Sequence, residues 1–92
     1  MSVRVCELHH IHSLEQLFAE LSRQLRLPPH FGANLDALYD ALSNDVQGPF
    51  EVVWRETAES RRHLGADVYA TILEILETVA EERGDVTLDI HH

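Results

Sequence analysis

The chain has 92 residues, with sixteen Asp and Glu against seven Arg and no Lys, for a formal net charge of −9; that length suits one domain spanning residues 1–92. Hydrophobic residues make up 45% and charged residues 25%, which excludes disorder driven by composition. The negative field disfavours nucleic acid and anionic membrane surfaces and favours basic partners, although acidity is also a general solubility device.

Cys6 is alone in an apolar stretch and reads as a small buried hydrophobe, with no internal disulfide available. No apolar run approaches the ~18 residues of a membrane span, and Met1-Ser2-Val3-Arg4 lacks a signal-peptide pattern. The expectation is a cytoplasmic chain.

In chain order, Val3 to Leu8 has β-branched residues in partial alternation and predicts a first strand. Ser13-Leu14-Glu15-Gln16 offers a capping box, and Leu14, Leu17, Phe18, Leu21 and Leu25 form one helical stripe, with Pro28-Pro29 expected to end the helix. Asn34 is placed to cap a second, shorter helix running to about Ser43, with Leu35, Leu38 and Leu42 inward; a loop is expected from Asn44 to Pro49. Phe50, Val52 and Trp54 alternate as a strand with one buried face.

Thr57 to His63 is a weakly marked polar helix. Beyond Gly65, apolar residues from Val68 to Ala80 keep helical spacing until Gly84, a natural left-handed cap. Asp85 to Ile90 alternates strictly as the last strand. Strands separated by helices predict an α/β fold with a three-stranded parallel sheet. Because the strands alternate, the helices are expected mainly on one face, in a two-layer domain.

The chemistry concentrates between His30 and Leu42. Asp36 and Asp40 are four residues apart and share a helix face, where like charges repel by ~0.2–0.5 kcal/mol. Asp36 lies near a helix N-terminus, where the macrodipole favours a carboxylate. Asp40 lies near the other end, where the dipole opposes it. Tyr39 falls off the leucine stripe beside Asp40; it is either an exposed interface aromatic or a partly buried one, and periodicity does not separate the two.

The run Phe31-Gly32-Ala33-Asn34-Leu35-Asp36-Ala37-Leu38-Tyr39-Asp40-Ala41-Leu42, followed by Pro49-Phe50-Glu51-Val52-Val53-Trp54-Arg55, resembles the barstar family of barnase inhibitors. The family signature is aromatic-Gly-x-Asn-Leu-Asp-Ala-Leu-aromatic-Asp, with every fixed position present, and the element order agrees over essentially the whole chain. The resemblance implies a barstar-like fold and an inhibitor that binds a basic, extracellular-type ribonuclease and is a monomer when free. The loop from His30 and the following helix would plug the nuclease active site, with Asp40 standing in for substrate phosphate, since Arg grips carboxylates through paired hydrogen bonds. Phe31, Asn34, Asp36 and Tyr39 would surround it, and Gly32 would allow close backbone approach. The chain departs from the pattern at His30, where barstar has Tyr, and at Asn44 and Asp45, where it has Gly-Trp. Of the acidic pair on barstar's last helix, Glu82 matches one member; the other falls near Thr78, with Glu77 and Glu81 as replacements.

Other readings are weaker. His9, His10, His12, His30, His63, His91 and His92 show no metal-ligand spacing, so neither metal nor cofactor is expected. An enzyme would need Asp36 and Asp40 as an acid-base pair, or His30 oriented by Asp36, but no nucleophile motif or phosphate-cradling loop accompanies them. Arg61 and Arg62 read as a solvated helix face. The alternative worth carrying is an acidic protein-binding module of the same fold with a non-nuclease partner.

Overall fold

The computed structural model describes residues 3–28, 32 and 34–92. Its elements run β1 (Arg4–Leu8), α1 (Leu14–Leu25), α2 (Leu35–Asp40), a π-helical turn (Ala41–Asp45), β2 (Phe50–Trp54), α3 (Thr57–Leu64), α4 (Ala66–Arg83) and β3 (Val86–Ile90). β2 lies between β1 and β3 and pairs with both in parallel, Cys6 opposite Val52 and Val52 opposite Leu88. This is the expected three-stranded parallel α/β sheet.

The pleat sends Phe50, Val52 and Trp54 into the core at 1%, 1% and 0% exposure. The stripes Leu17-Phe18-Leu21-Leu25 of α1 and Tyr69-Ile72-Leu76-Val79 of α4 meet them there. Burying a large apolar side chain contributes roughly 1.5–3 kcal/mol, so this layer is the main source of stability. Trp54 also packs against Tyr69, with ring centroids 5.3 Å apart, and its indole N–H donates to Ser60 Oγ at 3.3 Å. The opposite sheet face carries Val5, Glu7, Glu51, Thr87 and Asp89 by alternation. Val5 there is 48% exposed, while Val53 at the centre is buried.

Local signals explain the helix boundaries, with two corrections. Ser13 caps α1 by accepting from the Gln16 N–H. Gln16 closes the box one residue early, accepting from the His12 N–H at 2.9 Å and donating to the His10 carbonyl at 3.0 Å. α1 ends before Pro28: Arg26 takes a left-handed conformation at φ 56°, and the Leu27 N–H returns to the Ser22 carbonyl, as in a Schellman-type end. The second correction concerns Asn44 and Asp45, expected in a loop. They belong to the π-helical turn, so the helical path continues past Ser43.

α3 has little apolar surface, and polar bonds secure it. The Thr57 N–H and hydroxyl both donate to the His91 carbonyl, at 3.1 and 3.3 Å. Along β1, the Gln24 side chain pairs with the Glu7 N–H and carbonyl at 2.9 and 2.8 Å, occupying backbone groups at the sheet's edge.

Candidate functional site

Asn34 starts α2 as its cap: Oδ1 accepts from the Ala37 N–H at 2.8 Å and Nδ2 donates to the Gly32 carbonyl at 3.3 Å. Both ends of this side chain thus hold the loop on the helix. A Cβ at Gly32 would come within 3.2 Å of the Asn34 amide nitrogen, so glycine makes room for the cap. His30 and Phe31 lie outside the described residues.

Leu38 is fully buried and Leu35 packs partly against the core. That orientation turns Asp36 and Asp40 outward, both exposed, one turn apart. Neither carboxylate has an ion pair or hydrogen bond among the described residues. The repulsion anticipated from their spacing is therefore left standing on this face.

The far end of the helical segment is held from α4. Arg83, with a side chain only 17% exposed, donates from Nη1 to the Leu42 and Val46 carbonyls at 2.9 and 2.7 Å. Its remaining nitrogens grip Asp85 at 3.0 and 2.9 Å, and its guanidinium lies 5.2 Å from the Phe50 ring centroid. A cation thus meets carbonyls at the negative end of the segment, where the dipole favours it. Within the turn, Asn44 Nδ2 donates to the Asp40 carbonyl at 3.2 Å, while Asp45 is exposed.

Between α2 and α4 lies an open groove of about 540 Å³, lined by Asp36, Tyr39 and Asp40 on one side and Glu74, Ile75 and Thr78 on the other. Three carboxylates therefore share one concavity. Tyr39 is half-buried and its hydroxyl donates to Glu82 Oε1 across the helix pair. That bond to Glu82 is the main cause holding the phenol above its ordinary pKa, and the Glu82 and Asp40 charges add to it. Burial also raises it, and the nearby Ser43 hydroxyl, which makes no hydrogen bond among the described residues, acts in the other direction.

The structure thus gathers Asp36, Tyr39, Asp40 and Glu82 and joins Asn44 to Asp40. Thr78, near which the second acid of the barstar pair falls by resemblance, lines the groove, whereas Glu77 and Glu81 do not. Sequence reasoning missed Glu74 and Arg83. Glu74 precedes Thr78 by four residues, one turn along the same helix face, and that spacing could have flagged it. Arg83 carried no such signal, because its partners are backbone carbonyls 37 and 41 residues away.

A second cluster joins the β1–α1 loop to α3. His10 Nδ1 donates to Glu59 Oε2 at 2.8 Å, and His12 Nε2 lies 3.1 Å from the same oxygen. His9 and His10 approach Glu56 at 3.6 and 3.7 Å, and the His12 and His63 rings stack at 3.9 Å. Among the described residues, no group of three or more His, Cys, Asp or Glu could hold a metal ion. Also among these residues, no helix is long and apolar enough to cross a membrane. Burial, the largest cause, pushes the Cys6 thiol up to about 12, which makes it a poor nucleophile.

Residues 1–91 match the family described as Barstar (barnase inhibitor). The chain belongs to the barstar family. It is also 35% identical over 74 residues to the Bacillus subtilis (strain 168) protein named "Putative ribonuclease inhibitor YrdF", an alignment covering 79% of each chain. The run that carries the resemblance spans α2, and its Asp36, Tyr39 and Asp40 build one wall of the acidic groove.

Proposed function

We propose that this barstar-family chain is an intracellular, non-catalytic inhibitor of a basic, secreted-type ribonuclease of the barnase kind. The loop before α2 and α2 itself enter the nuclease active site, and Asp40 takes the place of a substrate phosphate. One observation carries the reading: Asp36 and Asp40 stand exposed and unpaired among the described residues, on a short segment capped by Asn34 at one end and by Arg83 at the other. Folding leaves these charges uncompensated, and a basic active site would compensate them. A carboxylate offers two acceptor oxygens to a guanidinium, much as a phosphate does.

Catalysis has less support. Asp36 and Asp40 line an open groove with neither a cysteine nor a histidine among the described residues around it. One observation favours a partner other than barnase itself: Asn44 is turned back onto the Asp40 carbonyl, so this edge presents a different surface from the family's Gly-Trp pair. The alternative is an acidic module of the same fold that binds a non-nuclease protein.

The test is titration of a barnase-type ribonuclease with the free monomer, following RNA hydrolysis and complex mass together. Inhibition complete at one equivalent and weakening with salt supports the proposal. A complex in which the nuclease stays active favours the module, and RNA turnover by the chain alone overturns the non-catalytic reading.

A further inference from the structure

We infer that Tyr39 is a positioning residue for Glu82: its hydroxyl fixes that carboxylate on α4 in the orientation that meets a basic group of the partner. The inference rests on the inhibitor reading and adds to it a division of labour within the acidic face. The family signature asks only for an aromatic ring at position 39. Tyr adds a hydroxyl, and the structure gives that hydroxyl a use.

Glu82 is exposed, one residue before the α4 C-terminus, where the helix dipole gives a carboxylate no support. A Glu side chain in that setting samples many rotamers, and a partner that captures it must offset the lost freedom. Tyr39 removes much of that cost beforehand. Its hydroxyl donates to Oε1 and leaves Oε2 without a partner among the described residues. A carboxylate has about four acceptor sites, so the bond to Tyr39 does not use up Glu82.

A phenol suits the place because it is neutral near pH 7 and brings a donor without a charge. Tyr39 is within electrostatic reach of both Asp40 and Glu82, and both charges oppose its ionisation. The backbone on each side is already fixed. Arg83, the next residue, ties α4 to the carbonyls of Leu42 and Val46. Arg83 thus sets where Glu82 begins and Tyr39 sets where it ends.

The test is a double-mutant cycle for inhibition of barnase with wild type, Tyr39→Phe, Glu82→Gln and the double variant, together with ¹³C-tyrosine NMR titration of each free chain. Tyr39→Phe and Glu82→Gln are each expected to weaken inhibition about five- to tenfold, and the double variant no more than the worse single one. Glu82→Gln is expected to bring the Tyr39 titration back toward that of an ordinary phenol. Additive losses would mean that Tyr39 contacts the partner in its own right and would overturn the inference, as would a Tyr39 titration indifferent to Glu82→Gln. If wild type does not inhibit barnase, the inhibitor reading fails for that enzyme, and the NMR titration by itself decides whether Tyr39 holds Glu82.

Discussion

Carboxylates are treated in opposite ways at two places in this molecule. Where the β1–α1 loop meets α3, Glu56 and Glu59 are surrounded by His9, His10 and His12, and His10 reaches both. Between α2 and α4, Asp36, Asp40 and Glu74 share one groove and have no cation among the described residues. The first arrangement spends its charges inside the fold, joining a loop to a helix. The second leaves them available, at a cost in self-repulsion that a soluble domain could avoid by spreading its acids. Net charge alone does not separate these uses; what separates them is which acids already have partners.

The largest effect should come from breaking the unpaired region. Asp40→Ala is expected to weaken nuclease binding by at least about thirtyfold, or ~2 kcal/mol, the threshold for an interfacial hot spot. Barstar with barnase is itself a reference case for such interfacial charge pairs. Inhibition constants measure it, with the far-ultraviolet spectrum expected unchanged.

Next comes the anchor beneath that region. Arg83→Met removes two charge-assisted bonds to the Leu42 and Val46 carbonyls and should cost roughly 2 kcal/mol of stability, or about 10 °C in Tm for a domain of this size. Thermal denaturation reads this directly. Asn34→Ala should cost about 1 kcal/mol through loss of the α2 cap, visible as a lower denaturant midpoint with an unchanged slope.

The smallest effect belongs to the paired region, and its sign follows from the two titrations. The hydrogen bond to Glu59 is the main cause raising the His10 pKa. That stabilisation is full below the ordinary histidine value and fades as pH rises through the raised one. The bond from His10 is the main cause lowering the Glu59 pKa, a contribution present above the ordinary glutamate value and lost as pH falls through the lowered one. Both operate between the ordinary Glu and His values, near about pH 5.5. The Tm gap between wild type and His10→Gln should therefore peak there, shrink by about pH 8 and be reduced by salt. His10 is solvent-exposed and Glu59 partly exposed, so the gap should be small. Nuclease affinity at fixed pH should not change.

The division between what the sequence revealed and what it concealed is physical. Strands, helices and the inward stripes were legible because periodicity is local, and Asn34 and Gly84 announced helix boundaries by residue type. Asp40 stood out because helix electrostatics supplied no structural reason for it. The π-helical turn was concealed, since Asn44 and Asp45 suit a loop as well as a wide turn. So was the end of α1, where Arg26 adopts a left-handed backbone usually left to glycine or asparagine. The roles of Arg83, Glu74 and the histidine cluster depend on which helices pack together, and no pattern within one helix encodes that. Arg83 reads in sequence as a complement to its own helix dipole and instead serves the carbonyls of another segment.

The central claim is that position, and not total charge, makes the α2–α4 face a binding site. The most direct test compares Asp40→Ala with Glu15→Ala, since Glu15 is an exposed acid in the first turn of α1 and both variants lose one negative charge. Inhibition of a barnase-type ribonuclease by both is measured at low and at high salt. The account predicts a large loss for Asp40→Ala that persists at high salt, and for Glu15→Ala a change of no more than about twofold that salt removes. Equal losses that vanish together as salt is raised would contradict it, leaving only a diffuse acidic field.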